Sequence, residues 1–405
     1  MENTSGVPLG LFGGHFDDEH DPHGMDEVNY MDAAMNMSGI PYPPIIPKPT
    51  WEILLKSLFS ALIIIAAILG NTLVIYIVWR NKRMRTTTNY FLVNLAVSDL
   101  MVTLSCTWVH LVDDLTEGWV LGAFFCKFNS FAQVLSLVSS IMTLTLISCD
   151  RFFGIVFAMK AHMTERRSPI FIMIVWILAV GISSPLLVYR EQRSRHWLNH
   201  TEIWCDDTWP EKTTFGPEGA IKTFPSRTAY YTFISLVLYF FPILVMSIAY
   251  SFIIWKLWSS HMPGERIESE VRSQDRIKKR VIIMLVIILS VFALCWLPFQ
   301  IAILYNEHRS NKTISLPLWY GNFNYFANYI AYANSAFNPV IYTGFNENFK
   351  RGFKSLFGCK KPAKKYNAIS GMTRDTSFGN LQSVTATGAT KVTEHTRVKN
   401  LINDK

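Results

Sequence analysis

Residues 126–151, CKFNSFAQVLSLVSSIMTLTLISCDR, decide the fold. Between Lys127 and Asp150 the stretch carries no charge. At about 1.5 Å per residue, a helix of this length crosses a hydrocarbon core of roughly 30 Å. Spacings of four and three place Gln133 and Arg151 on one helical face. The stretch therefore predicts a spanning helix that carries a polar group near each membrane surface, with Cys126 at one surface and Arg151 at the other.

Six further long apolar runs accompany this stretch in a chain of 405 residues that is 50% hydrophobic and 17% charged. Because the runs are continuously apolar rather than alternating, they favour helices over a β-barrel. The predicted fold is an all-α, seven-helix membrane bundle with spans at 53–79, 90–113, 124–153, 168–189, 229–256, 278–304 and 318–342. We expect a disordered extracellular tail over 1–52, the bundle over 53–345, an amphipathic surface helix over 346–358 and a disordered cytoplasmic tail over 359–405.

The net charge of +8 is distributed by side of the membrane and does not indicate a nucleic-acid partner. Residues 1–50 contain seven acids and one base, and no signal peptide is visible there, so the first span would direct insertion. Basic residues follow the first, third and seventh runs and precede the sixth. The positive-inside rule then places the amino terminus outside the cell and the carboxyl terminus in the cytoplasm.

Sequons and cysteines agree with this topology. Four Asn-x-Ser/Thr sequons fall in segments assigned to the outside, at Asn3, Asn36, Asn199 and Asn311. Of the six cysteines, only Cys126 and Cys205 are predicted to lie on the oxidising side, so we expect them to form a disulfide. Cys359 follows a basic amphipathic segment and is a candidate for S-acylation at the membrane lipid surface.

Polar groups and prolines interrupt the spans. A carboxylate in mid-membrane is costly and faces the bundle interior, so Asp99 either links helices through Asn71 and Ser98 or binds a cation. Pro242, Pro298 and Pro339 remove backbone hydrogen bonds and bend three successive helices.

Together these motifs resemble the rhodopsin-like (class A) G-protein-coupled receptors over about residues 53–358. The match comprises seven elements in order: Gly70 with Asn71, the Leu-Ala-Val-Ser-Asp run ending at Asp99, Cys126 with Asp150-Arg151-Phe152, Trp176, Pro242, Cys-Trp-Leu-Pro at 295–298, and Asn-Pro-Val-Ile-Tyr at 338–342. Phe152 departs from the family's Asp-Arg-Tyr. Lys278 stands where some members carry an acid that pairs with the arginine, so the resemblance implies a weaker inner lock and higher basal activity.

The resemblance implies a signalling mechanism. Asp99, Ser140, Asn334 and Asn338 correspond to the family's allosteric sodium pocket, with no other cofactor expected. Ile141, Pro242 and Phe292 correspond to its packing switch beneath Trp296. Movement of the sixth helix about Pro298 would expose Asp150-Arg151 and Tyr250 to a heterotrimeric G protein, with Pro339 and Tyr342 in the seventh-helix motif. Arrestin and a receptor kinase are further expected partners at the plasma membrane.

The ligand prediction also depends on the resemblance. Gln133 stands where amine receptors carry an aspartate, and the seventh span has no lysine for retinal. The chain looks most like neuropeptide receptors of the neuropeptide FF, neuropeptide Y, orexin and tachykinin neighbourhood. We expect an amidated peptide with Arg or Lys near its carboxyl end, with Gln133 deep and Glu307 at the rim. The other predicted ligand contacts are Trp296, Phe299, Gln300, Asn328, Glu202, Asp206 and Asp207.

Alternatives remain at this point. The acidic outer loop suits a cationic ligand, but it is equally an ordinary solvated loop. An ion channel or transporter is the main rival class, although no internal repeat is visible. The spans show no catalytic cluster, which argues against an enzyme. A peptide-binding receptor that does not signal is the third alternative.

Overall fold

The computed structural model describes residues 36–37, 47–116, 118–157, 167–216, 219–259, 268–309 and 317–356. Seven long helices and one short helix dominate this part of the chain. They are α1 (Thr50–Arg80), α2 (Thr87–Leu115), α3 (Gly122–Ile155), α4 (Ser168–Tyr189), α5 (Pro225–Ser259), α6 (Glu268–His308), α7 (Leu318–Phe345) and α8 (Glu347–Leu356). The predicted all-α membrane bundle is therefore confirmed as the dominant architecture.

Six of the helices, α1 to α6, contain stretches long and apolar enough to cross a membrane. Helix α7 is not in this group, although it has 28 residues, because its five asparagines lower its hydrophobicity. Several ends differ from the predicted spans: α1 begins directly after Pro49, and α6 begins ten residues before 278. Helix α4 turns at Ser184, next to the predicted break at Pro185.

Helix α3 lies at the centre of the bundle. In its most apolar stretch 67% of the residues are buried, against 22% in α4 and in α5. The outward faces of these two helices present large apolar side chains, including Ile177 and Leu244. Such faces are stable against lipid and unfavourable in water, so the exposure pattern agrees with a membrane-embedded bundle.

Buried polar side chains join the helices around α3. Trp176 of α4 donates its indole N–H to Asn94 Oδ1 of α2 at 2.8 Å, and Asn94 Nδ2 donates to Thr143 Oγ1 of α3 at 2.8 Å. Ser98 of α2 donates to Ser139 of α3 at 2.9 Å. Hydrogen bonds of this kind fix helix register where the hydrophobic effect cannot.

Helices α1 and α7 approach closely because Gly70 has no side chain. A Cβ atom at Gly70 would lie 2.7 Å from two ring carbons of Pro339. The neighbouring Asn71 donates to Ala67 O at 3.0 Å and to Ser335 O of α7 at 2.9 Å. The Gly70-Asn71 pair thus seats α7 against α1.

Short strands cover the outer end of the bundle. Strands β2 (Arg190–Trp197) and β3 (Thr201–Asp207) form an antiparallel hairpin, and β4 (Lys212–Gly216) pairs antiparallel with β5 (Gly219–Thr223). Strand β1 (Asn36–Met37) pairs in parallel with His196 and Trp197 of β2. The expectation of a disordered tail is therefore wrong for residues 36–37, because the free edge of β2 offers backbone partners that composition does not reveal.

The predicted modification sites are unevenly covered. Asn199 is exposed at the turn between β2 and β3, and Asn36 lies in β1. Asn3, Asn311 and Cys359 lie outside the described residues. Glycosylation and acylation thus stay predictions.

Candidate functional site

The β2–β3 hairpin is fixed to the outer end of α3 by the predicted disulfide. Cys126 and Cys205 are bonded, with their Cα atoms 5.6 Å apart. A second attachment comes from the loop before α3, where Trp119 N–H donates to Ile203 O at 2.6 Å. The preceding Gly118 has φ +77°, and a Cβ there would meet Ile203 O at 2.6 Å, so this approach requires glycine. The hairpin therefore keeps one position at the mouth of the bundle.

Neutral polar groups lie below this mouth. Gln133 Nε2 of α3 donates to Asn328 Oδ1 of α7 at 3.1 Å. Ser235 of α5 donates to Gln300 Oε1 of α6 at 2.8 Å, and Gln300 is fully buried. The Gln300 Nε2 and Trp296 Nε1 atoms are buried without a hydrogen-bond partner in the described structure. The structure thus presents amides and an indole with unused hydrogen-bonding capacity, and Phe299 stacks edge-on at 5.9 Å from Trp296.

The acidic residues predicted in the loop have protein partners. Asp207 Oδ1 lies 3.1 Å from Arg190 Nη1, and Tyr231 donates to Asp207 Oδ2 at 3.1 Å. Burial disfavours the charged guanidinium, but Asp207 and its neighbours outweigh burial and raise the pKa of Arg190. Glu202 accepts a hydrogen bond from Trp197 Nε1 at 3.1 Å. Asp206 is exposed, and its carboxylate accepts the Asp207 N–H at 2.8 Å.

Glu307, predicted at the rim, is paired inside the protein. Its carboxylate lies 3.1 Å from Arg227 Nε of α5 and accepts a hydrogen bond from Thr228 at 3.1 Å. The exposed side-chain fractions are 3% for Glu307 and 16% for Arg227. A ligand's guanidinium would have to replace that of Arg227.

Sequence reasoning missed two adjacent acids at the outer end of α2, Asp113 and Asp114. Asp114 forms ion pairs with Lys48 at 3.0 Å and Lys56 at 2.7 Å, whereas Asp113 is exposed. Lys56 also lies 4.1 Å above the ring of Tyr325 in α7. The signal was present in the sequence, since both acids end the second apolar run on the side assigned to the outside.

Below the mouth, the predicted packing switch is partly assembled. Ile141, Phe292 and Trp296 are buried in one hydrophobic cluster, with the last two ring centroids 6.1 Å apart. Pro242 is half-buried and follows a π-helical turn, Leu236–Phe240. From this turn, Tyr239 donates its hydroxyl to Ala293 O of α6. Helices α5 and α6 are thus coupled next to Phe292.

The mid-membrane carboxylate has a different partner from those predicted. Asn338 Nδ2 of α7 donates to Asp99 Oδ2 at 2.8 Å. Ser98 instead donates to Ser139, and both N–H groups of Asn71 are directed at backbone carbonyls, so the Asn71 and Ser98 prediction is corrected. Pairing with Asn338 links α2 to α7, and a sequence cannot reveal which of several nearby amides completes such a link.

The predicted sodium ligands carry unused acceptor atoms. Asp99, Ser140, Asn334 and Asn338 are all buried. Asn334 Oδ1 and Asn338 Oδ1 are buried without a hydrogen-bond partner in the described structure. Carboxylate, amide and hydroxyl oxygens are the ligands that hard cations prefer. These residue types fit a sodium ion.

At the inner end, Arg151 is held within its own helix. Its Nε lies 3.1 Å from Asp150 Oδ2, and its Nη2 contacts the same oxygen. Tyr250 of α5 is buried and interacts with Ser148 and with the charge of Arg151. Phe152, which replaces the family's tyrosine, packs edge-on against Phe252 at 6.4 Å. The side chain of Lys278 lies outside the described part, so the expectation about the inner lock stays a prediction.

Two more inner contacts involve α8. Tyr342 of α7 is fully buried, and its ring centroid lies 5.9 Å from that of Phe349. Arg280 of α6 lies 3.6 Å from Glu347, with both side chains 54% exposed. The inner ends of α6 and α7 are therefore both in contact with α8, while Pro298 and Pro339 lie inside their helices.

Comparison with known families decides the assignment. Residues 70–342 match the family model described as 7 transmembrane receptor (rhodopsin family). The chain belongs to this receptor family. The predicted family is thus confirmed, and the receptor is a multi-pass protein of the plasma membrane rather than an enzyme.

Several relatives of this receptor carry peptide names. It is 32% identical to the QRFP-like peptide receptor of Branchiostoma floridae over 78% of this chain and 82% of the relative. It is 30% identical to the substance-P receptor of Mus musculus over 77% of this chain and 73% of the relative. It is 32% identical to neuropeptide FF receptor 2 of Mus musculus over 76% of this chain and 74% of the relative.

Proposed function

We propose that this receptor binds an extracellular peptide with a carboxyl-terminal amide and an Arg or Lys close to it, and then activates a heterotrimeric G protein inside the cell. The amino terminus is outside and the carboxyl terminus is in the cytoplasm. The observation that carries the proposal is the set of neutral amides formed by Gln133, Asn328 and Gln300. The peptide names of several relatives support the ligand class.

The chemistry of these groups favours a carboxamide. A peptide amide offers both N–H donors and a carbonyl acceptor, and Gln300 Nε2 and Trp296 Nε1 are donors without a partner in the described structure. A carboxylate would lose its hydration without meeting a positive charge from these four residues, which is costly. An ammonium ligand would likewise lack the aspartate that Gln133 replaces.

The ligand's basic residue pairs with Glu307 in this proposal. Glu307 already holds one guanidinium, that of Arg227, at 3.1 Å. A peptide arginine would take over this geometry, and exchange of one guanidinium for another avoids leaving the carboxylate unpaired in a buried site. If Glu307→Gln leaves peptide potency unchanged, this part of the proposal is wrong.

Signalling follows as a shift between two packings of the helices. Agonist contacts with Trp296 are transmitted to Phe292, whose neighbour Ala293 is bonded to Tyr239 of α5. Pivoting of α6 at Pro298 then opens the inner face, and Arg151 leaves Asp150 to contact the G protein. The agonist shifts the population only by its preference for the active packing.

The remaining partners are part of the same proposal. A sodium ion held by Asp99, Ser140, Asn334 and Asn338 would stabilise the inactive packing, since opening separates α2 from α7. Arrestin and a receptor kinase act on the activated receptor, and acylated Cys359 contacts membrane lipid.

A paired-peptide experiment tests the ligand chemistry. Cells expressing the receptor receive amidated QRFP-like peptide, substance P, neuromedin K and neuropeptide FF, and the matching free acids, with calcium and cyclic-nucleotide readouts. We expect at least one amide to act at nanomolar concentration and its free acid to be about 100-fold weaker, since a buried unpaired charge costs several kcal/mol.

The matched variants are Gln133→Leu and Gln192→Leu. Gln192 is exposed in β2 and serves as the control for surface expression and folding. Gln133→Leu should reduce potency for the amide about 10-fold or more, through loss of a buried hydrogen-bond partner. Equal potency of amide and acid would contradict the proposal.

A further inference from the structure

Two adjacent carboxylates at the outer end of α2 have different surroundings. Asp114 is neutralised by two lysines, since Lys56 Nζ lies 2.7 Å from Oδ2 and Lys48 Nζ lies 3.0 Å from Oδ1. Lys48 also donates to the backbone carbonyl of Asp114. The Asp114 side chain is 17% exposed. Its charge therefore anchors α1 and the segment before it to α2.

Asp113 is left over. In the part of the chain that the structure describes, it has no hydrogen bond and no ion pair within 4 Å, and it is exposed. Arg190 of β2 is its nearest cationic influence, but that guanidinium is already paired with Asp207 at 3.1 Å. A carboxylate here can take a new cationic partner without displacing an existing one.

The position of Asp113 directs it to the cleft. Cys106 and Val109 lie seven and four residues earlier on the same helical face, and both are fully buried in the bundle. The charge of Asp113 also reaches Tyr332 of α7. Asp113 therefore lies where the inward face of α2 first emerges at the mouth, opposite the start of the β2–β3 hairpin.

We propose that Asp113 is a specificity-determining residue that binds a cationic nitrogen of the peptide, separate from the one assigned to Glu307. This inference depends on the proposed function. The cation is either a Lys or Arg side chain or the peptide's amino-terminal ammonium. Asp113 accepts it as a charge-assisted hydrogen bond at the partly hydrated mouth.

The test combines receptor variants with peptide analogues. The probe is the amidated panel peptide that is most potent on the wild-type receptor, with each Arg replaced by citrulline, each Lys by norleucine, or its amino terminus acetylated. The receptor variants are Asp113→Asn, Asp113→Glu and the neighbouring control Asp114→Asn, each normalised to surface expression.

We expect Asp113→Asn to weaken the parent peptide about 10-fold or more, and Asp113→Glu to restore most of the potency. One analogue should lose the same factor on the wild-type receptor and lose nothing further on Asp113→Asn. That analogue identifies the side chain or the amino terminus as the source. Asp114→Asn should instead lower surface expression and weaken the parent and all the analogues by a similar factor.

Two results would overturn the inference: unchanged potency of the parent on Asp113→Asn, or an equal loss for every analogue on that variant. Failure of every panel peptide on the wild-type receptor would overturn the proposed function, and this inference with it. Activation of the wild-type receptor with no effect of Asp113→Asn would overturn the inference alone.

Discussion

At the scale of single residues, the structure changes the picture of Glu307 most. The sequence shows an acid at the outer end of the sixth span, but its partner Arg227 lies 80 residues earlier and begins the fifth helix. Pairings between distant positions depend on helix rotation and tilt, which hydrophobic runs leave open. The same limit applies to Asp99, whose partner Asn338 is 239 residues away. The disulfide was predictable because only two cysteines face the oxidising side.

The Arg227–Glu307 pair yields a stability prediction. Glu307→Gln leaves the Arg227 guanidinium, which is 16% exposed, without its carboxylate. Removing one partner of a buried ion pair costs about 3–5 kcal/mol. We expect a clear decrease in the melting temperature of the detergent-solubilised receptor without ligand.

The double variant Arg227→Gln with Glu307→Gln is the control for this prediction. It removes both charges and should recover most of the lost melting temperature. A single variant as stable as the wild type would show that the pair contributes nothing to folding.

At the scale of elements, the spans themselves were readable from the sequence, because a continuous apolar run of about 20 residues matches the thickness of a membrane's hydrocarbon core. Their ends were less so. Helix α6 continues inward from 278 to Glu268 through a charged segment that hydrophobicity cannot identify. The π-helical turns Thr103–Thr107 and Leu236–Phe240 were also unpredicted, since packing rather than composition selects them.

The contact between α1 and α7 gives a prediction at this scale. Gly70→Ala would place a Cβ 2.7 Å from two carbons of the rigid Pro339 ring, so the helices must separate. We expect lower surface expression and a lower melting temperature. Gly181→Ala is the matched control, because a Cβ at Gly181 meets nothing within 4 Å. There, the better helix propensity of alanine should leave stability unchanged or raised. Equal behaviour of both variants would contradict the proposed close packing.

The contact between α6 and α8 gives another prediction. Arg280 and Glu347 are 3.6 Å apart and about half exposed, so the pair stabilises the closed inner face by less than about 1 kcal/mol. Arg280→Glu should raise basal nucleotide exchange by no more than about five-fold. The exchange of both residues, Arg280→Glu with Glu347→Arg, should return it to the wild-type level. A basal rate that stays raised in the double variant would show that the charge pair is not the cause.

At the scale of the whole molecule, the outer polar cleft and the inner arginine lie on one central helix. Gln133 and Arg151 are both in α3, the most buried of the six helices that qualify as membrane spans. The disulfide at Cys126 fixes the hairpin to the outer end of that helix. A bundle built this way cannot change its packing at one end without cost at the other, so binding outside and exposure of Arg151 inside are coupled equilibria.

The most direct test of this coupling is the affinity of the active amidated peptide for the purified receptor in lipid nanodiscs, with and without nucleotide-free G protein. We predict that the G protein raises peptide affinity about 10-fold or more, that the peptide raises G-protein affinity by the same factor, and that Arg151→Ala abolishes both effects while peptide binding persists. Peptide affinity that does not respond to the G protein in the wild-type receptor, or a peptide-gated current without any G protein, would contradict the account.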